Sequence, residues 1–160
     1  MSTRQTNHYV VFAVDDRRFA LHLRVVERAI HAVDVTPLPE APDIVLGVIN
    51  VHGDVIPVIN VRKRLSLPAK EIDLHDQFII AHTSKQKVAL VVDDVVGLVE
   101  RSAEDVLERD EITPDAGCVA GITKLDNELV LVCDLEAFLS LEEQEALNGA
   151  IEHVSQRGEQ

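Results

Sequence analysis

The residues of this chain whose types could do chemistry are its histidines, its cysteines and a pair of adjacent aspartates. The seven histidines are His8, His22, His31, His52, His75, His82 and His153. A zinc centre needs three or four converging ligands, and none of these histidines makes a short-spaced ligand pair with a cysteine. His75 and His82 stand seven apart across a loop-to-strand step, which is no ligand spacing. Asp93 and Asp94 would suit paired-carboxylate acid–base work only if they converged. Neighbours on a strand point to opposite faces, and aspartates are at home in turns, so a turn between strands is the expectation. Cys118 and Cys133 sit in apolar runs with no CxxC between them, which reads as two buried thiols. No phosphate-binding GxxxxGK[ST], no GxGxxG, no GxSxG and no HExxH occurs. No catalytic residue, no metal and no required cofactor is expected.

The elements that would carry any site are strands. Hydrophobic residues make up 46 % and aromatics only 3 %, so Val, Ile and Leu must build the core, and β-branched side chains suit a pleated surface. His8–Asp15 and Arg18–Leu23 read as a hairpin around Asp15-Asp16-Arg17. Arg24–Arg28 has room for one helical turn, Ala29–Thr36 is extended, and Pro37, Pro39 and Pro42 exclude a helix or a central strand. Two apolar runs, Val45–Val51 and Val55–Val61, flank the loop His52-Gly53-Asp54 and predict a second hairpin. Arg62-Lys63-Arg64 then reads as a solvated strand end, with a partner-docking role as the alternative.

Ser66–Asp76 is polar, contains Pro68 and marks the expected junction between two halves. Beyond it lie strands over Gln77–His82, Lys87–Asp93 and Val95–Glu100, then an acidic, irregular Arg101–Gly117 with a possible turn of helix after Thr113-Pro114. A hairpin follows over Val119–Lys124 and Glu128–Val132. Ser140-Leu141-Glu142-Glu143 is a capping box. Leu147, Ala150, Ile151 and Val154 follow on one face at helical spacing, so a C-terminal helix is expected over 141–154, with flexible ends at 1–7 and 155–160.

Charge is uneven. Residues 1–70 carry 9 Lys/Arg against 7 Asp/Glu, and residues 71–160 carry 6 against 21, within a net charge of −13. Nucleic acid and anionic membranes, which attract basic surfaces, are disfavoured. No run approaches the roughly 20 apolar residues of a membrane span and no apolar signal segment opens the chain, so the cytoplasm is the expected location. These features describe an acidic, mostly-β binding module whose partner the residues alone do not name.

A resemblance adds to this. Val45–Leu65, VLGVINVHGDVIPVINVRKRL, resembles the central segment of the CheW-like domain of chemotaxis coupling proteins. VVERAIHAVDVTPLP (Val25–Pro39), KVALVVDDVVGLVER (Lys87–Arg101) and CVAGITKLDNELVLVCDLEAFL (Cys118–Leu139) are similar to further blocks of that family, in its order. The resemblance covers about residues 8–140. It implies two five-stranded, SH3-like β-barrels and a non-catalytic adaptor linking the cytoplasmic tip of a chemoreceptor to the regulatory domain of a CheA-type histidine kinase. Residue by residue, it implies a receptor-binding groove containing Val26, Arg28, Ile30, Val95 and Leu98. It implies a partner-facing hairpin element at Gly47, Asn50, His52 and Gly53, where the family usually has Arg in place of His52. For Val26, Val95 and Leu98 core packing competes with that role, and for Asn50 and Gly53 simple turn building does. An adaptor of a non-motility pathway controlling pili or a cyclic-nucleotide enzyme stays open beside the chemotaxis reading, as does a metal-dependent enzyme on a β-barrel.

Overall fold

The structure is a computed structural model that describes residues 6–108 and 118–158. Its strands are β1 (Thr6–Val14), β2 (Arg17–His22), β3 (Val26–His31), β4 (Val45–Val51), β5 (Asp54–Ile59), β6 (Gln77–His82), β7 (Lys87–Val92), β8 (Asp94–Ser102), β9 (Val106–Glu108), β10 (Val119–Leu125) and β11 (Glu128–Cys133). Among the described residues two α-helices accompany them, the single turn α1 (Val61–Arg64) and the C-terminal α2 (Leu141–Gly158). One sheet has the order β8-β1-β2-β11-β10-β9 and the other β3-β6-β7-β5-β4. The expected mostly-β, two-barrel class with a C-terminal helix is therefore present, with one strand more than expected in the first sheet. The extra strand, β9, pairs with β10 through Val106–Glu108. Three residues are too few to print a period-2 pattern, and that stretch had read as irregular.

The two sheets are not the first and second halves of the chain. β1 and β2 belong with β8–β11, and β3–β7 make the other sheet. The chain changes sheet at the 3-10 turn Leu23–Val25, where the helical turn was expected to continue to Arg28, and again at Asp93 between β7 and β8. Ser66–Asp76, expected as the junction, instead links α1 to β6 within one sheet. It is folded back by Leu67 N–H donating to Arg62 O and Asp73 N–H to Asp76 Oδ2. Its polarity and proline mark a loop, and a loop has no need to be a boundary.

Each sheet curls around its own apolar cluster. Tyr9, Val11, Ala20, Val130 and Val132 fill the first, and Ile49, Ile56, Val58, Phe78, Ile80 and Ala89 the second. A larger cluster joins them. The outer faces of β1 and β2 (Phe12, Val14, Phe19, Leu21) meet Ile79, Ala81, Leu90 and Val92 from the other sheet, together with Phe138 and Leu147 from the C-terminal segment. Cys118 and Cys133 are buried there as free thiols.

The basic triplet is where the expectation fails most. Asn60 Oδ1 accepts from Lys63 N–H and caps α1, so the run leaves the strand and turns inward. Arg62 is only 9 % exposed. Its Nη1 donates to Asp15 Oδ1 at 2.7 Å and to Pro68 O at 3.1 Å, and its Nη2 reaches both oxygens of Asp93 at 2.9 and 3.0 Å. Asp93 Oδ2 also accepts from Asp15 N–H. Burial opposes the guanidinium's charge, but the bonds to Asp93 and Asp15 outweigh it and hold Arg62 above its ordinary value. Arg64 makes a two-pronged bond to Glu143 at 2.6 and 2.7 Å, which ties α1 to α2.

The capping box at the start of α2 forms as its residues predict: Ser140 N–H donates to Glu143 Oε1, and Glu143 N–H to Ser140 Oγ. Leu147 and Ala150 are buried and Ile151 packs partly against the joint core. The helix runs past Val154 to Gly158, where a frayed end was expected, and Thr6 and Asn7 are already strand. The side chain of Val154, the turn expected after Thr113-Pro114 and the extreme ends of the chain lie outside the described residues.

Two stability outcomes follow. Arg62→Ala removes the cation from between two carboxylates and should lower the unfolding free energy by about 2–3 kcal/mol. That is below the cost of breaking a fully buried pair, because Asp15 and Asp93 keep some solvent, and urea titration reads it. For Glu143, burial raises the carboxyl's pKa, but Ser140 N–H and Arg64 more than offset this and the net shift is downward from 4.5. A depressed carboxylate stabilises the fold above its unfolded pKa and loses that contribution as pH falls through the folded one. Glu143→Gln should therefore be less stable than the parent at pH 7, and the gap should close as the titration is repeated below about pH 4.5.

Candidate partner-binding groove

The two sheets present edge strands on either side of their joint core. β8 is an edge of the first sheet and β3 an edge of the second. Side chains opposite one another on paired strands share a face. Ile79 and Ala81 of β6 belong to the joint core, and their β3 partners are Ala29 and Val26. Phe78 and Ile80 fill the second sheet's own interior, and their partners are Ile30 and Arg28. Val26 thus lies on the inter-sheet side, partly buried against the joint core, whereas Ile30 packs on the other face and Arg28 is exposed there. A register shift between Val26 and Arg28 leaves Glu27 as an extra residue. Without that β-bulge, Val26, Arg28 and Ile30 would share one face, as plain alternation suggests.

β8 shows the converse. Val95 and Leu98 stand three apart, and strict alternation would separate them. Phe12 pairs with Val95 and Val11 with Gly97, so Val96 is an extra residue opposite the β1 ladder. Leu98 then pairs with Val10, on the same face of β1 as Phe12. The bulge therefore gathers Val95 and Leu98 onto the inter-sheet face. Val95 is half-buried against the joint core, and Leu98 remains 57 % exposed. Val99, one residue further, packs into the first sheet's interior. Val26, Val95 and Leu98 thus all fall on the inter-sheet side of their strands, as does Ala29, whereas Arg28 and Ile30 fall on the other face. Ala29 was missed because small side chains carry no pattern signal.

The β4–β5 hairpin carries the second group of expected residues. Val51 pairs with Asp54, so the loop is His52-Gly53, two residues rather than three. Both have positive φ, 51° and 90°, which makes it the type I′ turn whose twist suits a hairpin. Asn50 Oδ1 accepts from Gly53 N–H at 2.9 Å and braces the turn. Histidine tolerates this left-handed conformation better than most side chains, and His52 is exposed at the tip. Gly47 is buried, and a Cβ there would collide with the carbonyl of Thr36. Thr36 crosses β4 at that point, exchanging both backbone hydrogen bonds with Val48. Gly47 therefore acts through packing, Asn50 and Gly53 through the turn, and His52 presents an exposed imidazole at the tip.

The hairpin end is tied to β3 through Lys87, whose ammonium lies 3.2 Å from Glu27 and 3.3 Å from Asp54. Hydrogen bonds to Glu27 and then Asp54 hold that ammonium above its ordinary value. Among the described residues, no three His, Cys, Asp or Glu side chains converge as metal ligands, and no helix is long and apolar enough to cross a membrane. What the groove can do chemically is bury apolar side chains of a partner between two edges.

Comparison with known proteins agrees with this architecture. Residues 8–143 match the family profile of the CheW-like domain. The chain is 31 % identical to the chemotaxis protein CheW of Bacillus subtilis, over 86 % of this chain and 89 % of that one. It is 30 % identical to the Thermotoga maritima protein of the same name, over 80 % and 84 %. Among solved structures it is similar to the scaffolding protein TtCheW from Thermoanaerobacter tengcongensis, with a TM-score of 0.78 and 26 % identity, covering 87 % of this chain and 96 % of that one. The two-sheet fold, the blocks of sequence and this family profile agree, and the chain belongs to the CheW-like family.

Proposed function

We propose that this protein is a non-catalytic adaptor that couples the cytoplasmic tip of a chemoreceptor to the regulatory domain of a CheA-type histidine kinase. What supports the reading is the apolar inter-sheet face, where the bulge in β8 sets Val95 and an exposed Leu98 on one side and β3 turns Val26 toward the joint core. A large exposed aliphatic side chain on an edge strand beside a half-buried apolar floor suits the ridge of a helical hairpin, which offers apolar side chains at helical spacing. The kinase would meet the β4–β5 hairpin, where the exposed His52 stands in the place the family usually gives to Arg. An imidazole is not the permanent, five-donor cation that a guanidinium is, and this favours partners adapted to His52. That observation keeps a second reading, an adaptor of a non-motility chemosensory pathway, alongside the first.

The groove is tested by Leu98→Asp, which places a charge at its most exposed apolar point and leaves the joint core untouched. Calorimetric titration with a soluble coiled-coil receptor-tip fragment should show affinity falling roughly thirtyfold, the ~2 kcal/mol of a central apolar contact, with an unchanged melting temperature. Equal affinity in a folded variant would remove the groove from the account.

A further inference from the structure

We infer that Gln77 is a positioning residue for the groove: its side-chain carbonyl holds the N–H of Val95 and so fixes the bulge that puts Val95 and Leu98 on one face. This rests on the groove reading above but concerns a residue of the opposite sheet. Gln77 begins β6 and pairs with His31 of β3 on one side and Val92 of β7 on the other. By the period of two along a strand, its side chain projects on the same face as Ile79 and Ala81, toward the joint core. Only three residues after Val92 the chain has crossed to the first sheet, and there Val95 N–H donates to Gln77 Oε1 at 2.7 Å.

The position of this bond gives it its importance. Asp93, just before β8, is anchored independently: its N–H donates to Ala13 O and its carboxylate holds Arg62 and Asp15 N–H. Asp94 and Val95 pair with Ala13 and Phe12, and beyond the extra residue Val96 the ladder resumes at Gly97 opposite Val11. Between these two fixed points lie Asp94, Val95 and the extra residue Val96, and the bond to Gln77 is a side-chain tie from the other sheet within that stretch. A bulge disrupts its ladder and leaves polar groups to be satisfied elsewhere, and a part-buried N–H without an acceptor is costly. With the glutamine carbonyl gone, the strand gains by shifting Val96 into register. A one-residue slip turns side chains to the opposite face, and Val95 would turn away from the face that Leu98 keeps opposite Val10. The Arg62 anchor persists in that event, so the fold survives while the groove changes.

The test compares Gln77→Met, which keeps length and bulk but has no strong acceptor, with Gln77→Glu, whose carboxylate accepts the same bond. Two readouts are taken on the full chain: hydrogen exchange of the Val95 amide by NMR without any partner, and calorimetric affinity for the receptor-tip coiled coil. Gln77→Met should speed Val95 exchange and weaken the coiled coil about tenfold with little change in melting temperature, and Gln77→Glu should restore both. Unchanged exchange and affinity in Gln77→Met would overturn the inference, and so would an equal loss in both variants, because side-chain shape rather than the acceptor would then be at work. Partner-free exchange keeps the two ideas separable: a slowly exchanging Val95 amide lost only in Gln77→Met, with Leu98→Asp binding normally, would leave Gln77 holding the bulge and would sink the groove instead.

Discussion

The guanidinium of Arg62 sits where three crossings of the chain meet. It bonds Asp15 in the β1–β2 turn of one sheet, Asp93 where the chain leaves the other, and the carbonyl of Pro68 in the loop that follows its own helical turn. An arginine suits this position because its fork of donors can satisfy two carboxylates and a carbonyl at once. The neighbouring Arg64 extends the same helical turn to Glu143 and thereby docks α2. A six-stranded and a five-stranded sheet that exchange strands in sequence are thus pinned at one polar point, and the apolar cluster of Phe12, Phe19, Ile79, Leu90 and Leu147 fills the space around it.

With the sheets fixed in this way, their edges set what a partner meets. Edge strands risk uncontrolled pairing, and bulges are one of the devices that prevent it. Here β3 and β8 both carry bulges, at Glu27 and Val96. The same two irregularities sort the side chains, setting Val26, Val95 and Leu98 on the inter-sheet side and Arg28 and Ile30 on the far face. One local feature thus protects an edge and composes a surface. The salt bridges of Lys87 to Glu27 and Asp54 then relate that edge to the base of the His52 hairpin. Being exposed, these pairs are worth little in stability, and their value is in holding the relative position of two surfaces.

The acidic second part of the chain has a structural consequence as well. Several of its carboxylates are engaged internally by the basic residues of the first part: Asp93 by Arg62, Glu143 by Arg64 and Asp76 by Lys70. The uneven charge of the two parts of the chain therefore reflects, in part, ion pairs between segments that fold onto one another. Unlike charges distant in sequence are free to become neighbours, so a boundary drawn from charge need not be a boundary in space.

By itself the sequence determined the elements. The Val and Ile alternation specified most strands, Ser140 and Glu143 specified the start of α2, and Asn50-x-x-Gly53 specified a hairpin, because each is a local preference written within a few residues. The ordered family blocks made the two-barrel fold and the adaptor class legible. The tertiary structure alone decided which strands share a sheet, that Arg62 is buried rather than solvated, and which face each groove residue occupies. Those outcomes depend on pairings between residues far apart in the chain and on two extra residues, Glu27 and Val96, that break the strand period. A sequence pattern read at period two carries no mark of where the period slips, since the slip is fixed by the partner strand and, for Val95, by a glutamine from the other sheet.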